Sequence, residues 1–67
     1  MLTKRELEVL ELIIQGYTNR EISKILTITG HTTKAHVASI FEKLGVKNRV
    51  QATVKYLKMT SAIGSSE

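Results

Sequence analysis

Stepping about 100° per residue along positions 29 to 45 sorts that segment into two faces. Thr33, Val37, Ile40, Phe41 and Leu44 fall on one stripe, with His31, Lys34, Ala35, Ala38, Ser39 and Glu42 opposite. The first stripe reads as a core. The second lacks the long charged side chains of an ordinary solvated face and is short or mildly basic at its N-terminal end, which suits close approach to a flat polyanion such as a DNA groove. The same period predicts a helix over about 4 to 15 with Leu7, Val9, Leu10, Ile13 and Ile14 inward and Leu12 as a half-exposed contact. It predicts another over about 19 to 26 with Ile22, Ile25 and Leu26 inward. A fourth, over about 49 to 60, turns Ala52, Tyr56 and Met59 inward and leaves Val50, Val54 and Leu57 as a second apolar stripe.

Polar punctuation falls where those helices need ends. Thr3 with Glu6, and Thr18 with Glu21, have capping-box spacing, in which each side chain satisfies an orphan backbone N–H at a helix start. Asn48 with Gln51 forms a third pair, Thr29 caps the 29 to 45 segment, and Gly16 and Gly45 supply left-handed stops. Thr27 to Thr29 make a tight polar turn around Ile28, so the second and third helices cross steeply and the second braces the third from behind. Residues 1–60 form one domain of four helices and no strand, and residues 61–67, short and polar, are expected to be a flexible tail.

A chain of 67 residues supports one small core and no large enclosed catalytic pocket. With no Cys it has no disulfide framework or thiolate zinc site, and it fits a reducing cytoplasmic setting. No apolar run has the length of a membrane span. The formal net charge of +4 is unevenly spread. Through Glu21 the bases are Lys4, Arg5 and Arg20 against four glutamates, whereas beyond it Lys24, Lys34, Lys43, Lys47, Arg49, Lys55 and Lys58 face only Glu42 and Glu67. The second half is therefore the one suited to a polyanion.

Four blocks in order carry a family resemblance: Leu2-Thr3-x-Arg5-Glu6-x-Glu8-Val9-Leu10-x-Leu12-Ile13, Gly16-Tyr17-Thr18-Asn19-Arg20-Glu21-Ile22, Thr29-x-x-Thr32-x-Lys34-x-His36-Val37, and Lys43-Leu44-Gly45-Val46-x-Asn48-Arg49-x-x-Ala52. Together they resemble the LuxR-type (GerE-like, NarL/FixJ-class) DNA-binding domain. The resemblance implies an all-α, four-helix helix-turn-helix, a trihelical core plus a C-terminal dimerisation helix. It further implies the effector domain of a bacterial transcription regulator, whose third helix enters the major groove of double-stranded DNA and whose fourth pairs two copies. Family base-reading positions fall on Lys34, Ala35 and Ala38, and backbone-contacting positions on Thr32, on the Asn19-Arg20 helix start and on the cluster of Lys43, Lys47 and Arg49. Thr33 stands where the family usually has Val, and Ala38 where some members place a long polar reader.

His31, in the first turn of the third helix, is a further phosphate candidate through the positive end of the helix dipole. Zinc is rejected, because His31 and His36 lie five apart around a helix with no third ligand nearby, and no cofactor is expected. His36 and Ser39 lack an orienting acid or an oxyanion site, so an enzyme is not expected. Thr33 is a hydroxyl on a core stripe, where it either bonds back to the preceding turn's carbonyl or goes unsatisfied, and Thr33→Val is expected to stabilise the fold. Val50, Val54 and Leu57 are expected to form a weak isologous homodimer contact, the bland alternative being an oversized core face. The first cap falls two residues after Met1, which reads as an excised piece of a longer regulator bearing a receiver or ligand-sensing domain, with a stand-alone regulator as the other possibility. The competing function is a protein-interaction module on the same scaffold that pairs with another regulator and has weak DNA affinity of its own.

Overall fold

Threonine hydroxyls start three of the four helices. In the computed structural model, which describes residues 1–64, these are α1 (Lys4–Ile14), α2 (Asn19–Leu26), α3 (Gly30–Leu44) and α4 (Arg49–Gly64). Thr3, Thr18 and Thr29 sit in extended backbone and their Oγ1 atoms accept the N–H of Glu6, Glu21 and Thr32 at 3.1, 3.1 and 3.0 Å. Glu6 and Glu21 return the bond to the threonine N–H at 2.9 and 2.8 Å, completing two capping boxes. Asn48 Oδ1 accepts from Gln51 N at 2.8 Å, and Gln51 Oε1 reaches back to Lys47 N at 2.8 Å.

The first three helices end by one device. A residue with positive φ, Gly16 (98°), Thr27 (57°) or Gly45 (70°), reverses the chain. The following N–H then bonds back across the last turn: Tyr17 to Leu12 O at 3.1 Å, Ile28 to Ser23 O at 2.9 Å and Val46 to Phe41 O at 2.9 Å. Thr27 is the exception in kind, a β-branched residue where the other two turns use glycine, and it sits in the joint between α2 and α3.

Val9, Leu10 and Ile13 of α1, Ile22 of α2, Val37, Ile40 and Leu44 of α3 and Ala52 of α4 form the core. Leu2, Leu12, Ile14, Leu26, Phe41, Val46 and Tyr56 are half-buried around it. Three expected core positions face solvent instead. Leu7 is 41% exposed because the buried register of α1 is 6, 9, 10 and 13, which brings Glu6 inward and leaves Leu7 beside the seam. Ile25 is 49% exposed because the buried sector of α2 runs from Ile22 past Leu26 to Ser23. Met59 is 51% exposed, one turn beyond the half-buried Tyr56, where α4 runs past the end of the core. The helix itself continues to Gly64, since Thr60-Ser61-Ala62-Ile63 contains no breaker. Of the expected tail 61–67, residues 65–67 lie outside the described residues.

Thr33 is fully buried, as its place on the stripe required, but its hydroxyl has company. Thr33 Oγ1 and Ser23 Oγ lie 2.7 Å apart between α3 and α2. Ser23 Oγ also reaches Asn19 O at 2.8 Å, and Thr33 Oγ1 reaches Thr29 O at 3.1 Å. Two hydroxyl protons serve three short contacts, so both groups are satisfied whichever donates to the other. Thr33→Val would therefore break satisfied contacts, which corrects the expectation that it stabilises the fold.

Candidate nucleic-acid interface

The outward face of α3 is built from small or single-headed side chains. His31, Lys34, Ala35, Ala38 and Glu42 are exposed along one stripe, held outward because Thr33, Val37, Ile40 and Leu44 anchor the opposite stripe in the core. Ser39 departs from the expected outer face. It is half-buried and donates to Glu6 Oε2 at 2.6 Å, so it belongs to the contact between α3 and α1.

Beside this face an open groove between α2 and α3 is lined by Asn19, Arg20, Ser23, Lys24, Gly30 and Lys34. Asn19 and Gly30 are the first residues of their helices, so two helix N-termini open onto a groove whose lining contains three cations and no carboxylate. Unpaired backbone N–H groups and the positive ends of two helix dipoles act there in the same sense as Arg20, Lys24 and Lys34. Thr32, half-buried at the start of α3, accepts a hydrogen bond from Thr29 Oγ1 at 2.9 Å, which leaves its own hydroxyl proton free to donate. Lys24 was not singled out from the sequence. Its spacing of four from Arg20, one turn along the same face of α2, is the signal that would have found it.

The basic cluster of Lys43, Lys47 and Arg49 is divided by the fold. Lys43 turns to α1 and pairs with Glu6 Oε1 at 2.9 Å. Hydrogen bonds from the Ser39 hydroxyl, the Lys43 ammonium and the Thr3 N–H hold the Glu6 carboxyl down from 4.5 to about 2. Arg49, half-buried at the start of α4, donates from Nη1 to Asn19 Oδ1 at 2.6 Å and from Nη2 to the Tyr17 carbonyl. Lys47 is exposed in the turn between α3 and α4.

On α4, Val50 (73%), Val54 (44%) and Leu57 (52%) remain exposed. Among the described residues no group of three His, Cys, Asp or Glu side chains could hold a metal ion. No helix of the described residues is long and apolar enough to cross a membrane.

Comparison with known proteins adds to this geometry. The family model described as bacterial regulatory proteins, luxR family, matches residues 1–56. The spore germination protein GerE of Bacillus subtilis is 48% identical over 59 residues, 88% of this chain and 80% of that protein. The nitrate/nitrite response regulator protein NarP of Escherichia coli is 40% identical over 62 residues, which are 92% of this chain but 29% of NarP. Among solved structures, the response regulator ChrA of a heme-sensing two-component system superposes with a TM-score of 0.86 at 37% identity, covering 90% of this chain and 30% of that one. The DNA-binding domain of the response regulator ComA, solved in complex with the anti-activator RapF, gives 0.80 at 34% identity, covering 82% and 95%.

Proposed function

Because the chain belongs to the luxR family of bacterial regulatory proteins, as a LuxR-type helix-turn-helix domain of transcription regulators and not an enzyme, we propose that it binds double-stranded DNA with α3 in the major groove. Lys34 donates to guanine O6/N7 or to a flanking phosphate, while Ala35 and Ala38 meet thymine methyls and give the clearance that lets α3 sit deep. Asn19, Arg20, His31 and Thr32 hold the sugar-phosphate backbone, and Lys47 and Arg49 add positive charge near the turn between α3 and α4, the charge of Lys43 being matched by Glu6. With one long reader on α3, contacts to phosphate and the spacing of two copies carry much of the affinity. Val50, Val54 and Leu57 form the two-fold contact, too small for a tight free dimer and strengthened when DNA holds two copies together. Carrying all of this is the α2–α3 groove, where two helix starts and three cations meet without a carboxylate beside the short-side-chain face of α3. The domain spans 80% of GerE and 29% of NarP, so the same activity is proposed for it alone or joined to a receiver or ligand-sensing domain.

Selection from a random duplex pool tests this function. Winners are expected to contain two half-sites with centres about 34 to 36 Å apart along one helical turn. Lys34→Ala is expected to cost about 1 to 3 kcal/mol of binding to the selected site. A pool that never enriches would refute it.

The second reading, a module that docks on another protein, has two observations in its favour. An apolar depression between α1 and α4, lined by Met1, Leu2, Leu7, Leu44 and Met59 with Lys43 and Lys55, lies apart from the α2–α3 groove, and the similar ComA domain was solved in a complex with RapF.

A further inference from the structure

By family resemblance Arg49 is a backbone-contacting position, yet its guanidinium is already engaged within the fold. Nη1 donates to Asn19 Oδ1 at 2.6 Å and Nη2 to the Tyr17 carbonyl, joining the first residue of α4 to the first residue of α2 and to the turn before it. A rigid planar guanidinium presents donors on two separate nitrogens, one to each acceptor, whereas an ammonium carries its donors on one atom at a shorter reach and does not hold the two acceptors in this fixed relation. The side chain is half-buried, and Asn19, at the other end of the bond, lines the groove beside Arg20. We infer that Arg49 is a positioning residue for DNA binding: it fixes the Asn19 side chain and the start of α2 against the phosphate backbone instead of contacting a phosphate itself. This rests on the DNA-binding function proposed above.

The test uses Arg49→Lys, which keeps the charge and loses the fork, and Asn19→Ala, which removes the acceptor and leaves the charge untouched. Binding of a mixed-sequence 30-base-pair duplex is titrated for each variant and for the double variant, well below their thermal midpoints. Arg49→Lys is expected to weaken binding on the order of tenfold, with a midpoint within a few degrees of the wild type, and the double variant is expected to bind no worse than Asn19→Ala alone. Affinity within about twofold of the wild type for Arg49→Lys, or single losses that multiply in the double variant, would overturn the inference in favour of a direct charge contact. A lowered midpoint with unchanged affinity would overturn it in favour of a purely structural bond. Should Arg49→Lys melt below the assay temperature, all the titrations are repeated at a temperature below its midpoint, with the same criterion. If the wild-type domain binds no duplex at all, the DNA-binding function fails first and the inference with it.

Discussion

Thr33 shows what a single residue adds that periodicity cannot supply. Its burial followed from its place on the α3 stripe, but its partner Ser23 stands ten residues away on another helix, and nothing in the spacing of hydrophobic positions announces a hydroxyl pair. Thr33→Val deletes the bond between α2 and α3 while Ser23 keeps Asn19 O, so it is expected to destabilise the domain by about 1 kcal/mol, the net contribution of one hydrogen bond. The double change Ser23→Ala with Thr33→Val should cost less than the sum of the single changes, since the shared bond is lost only once. Denaturant titration of the two single variants and the double checks this, and a more stable Thr33→Val would contradict it. The same blindness applies to Ser39 and Arg49, whose partners lie 33 and 30 residues away in the chain. The outward direction of Lys34, Ala35 and Ala38 was legible, because orientation on a helix depends only on local period.

At the scale of the elements, most boundaries were written in short-range chemistry. Capping threonines, their glutamate partners and the glycine stops act within three or four residues, so they can be read directly from the chain. Where the buried register of a short helix lies depends on what packs against it, which is why Leu7 and Ile25, inward by period, lie outward in the fold. Thr27 is the strained element end. In the left-handed region a β-branched residue costs about 1 to 2 kcal/mol, offset in part by the freedom a glycine would gain in the unfolded chain. Thr27→Gly should therefore stabilise the domain by about 0.5 to 1 kcal/mol and raise Tm by a few degrees. A drop in Tm would indicate that the threonine side chain has a contact outweighing its strain.

The contact between α1 and α3 is also pH-dependent. Glu6 titrates at about 2 in the folded domain against 4.5 when free of its partners. Its stabilising contribution is thus fully present above about pH 4.5 and is lost as the pH falls toward 2, because the unfolded chain takes up the proton first. Melts between pH 6 and pH 2 are expected to show a fall in Tm that is shallower in Glu6→Gln. Parallel curves for the two proteins would remove Glu6 from the account.

For the molecule as a whole, charge separates the two proposed associations. From Lys43 to Gly64 there are five basic residues, Lys43, Lys47, Arg49, Lys55 and Lys58, and no Asp or Glu. A two-fold contact through Val54 and Leu57 brings Lys55 and Lys58 of both copies near one another, so association of the free domain is opposed by like charges. It is expected to strengthen with added salt, read by sedimentation equilibrium, and Val54→Glu should abolish cooperative two-site DNA binding while sparing the fold. Self-association that weakens with salt would mean the interface lies elsewhere. The overall architecture was legible because each helix carries its own period and its own caps. The grouping of Arg20, Lys24 and Lys34 around two helix starts was not, since it depends on how α2 crosses α3.

The dependence of duplex binding on salt tests the central claim most directly. If the α2–α3 groove and the face of α3 engage several phosphates, log K falls steeply and linearly with log salt, by about 0.9 per phosphate neutralised, and Arg20→Ala makes that slope shallower by about 1. A flat dependence, or an Arg20→Ala slope equal to that of the wild type, would contradict it.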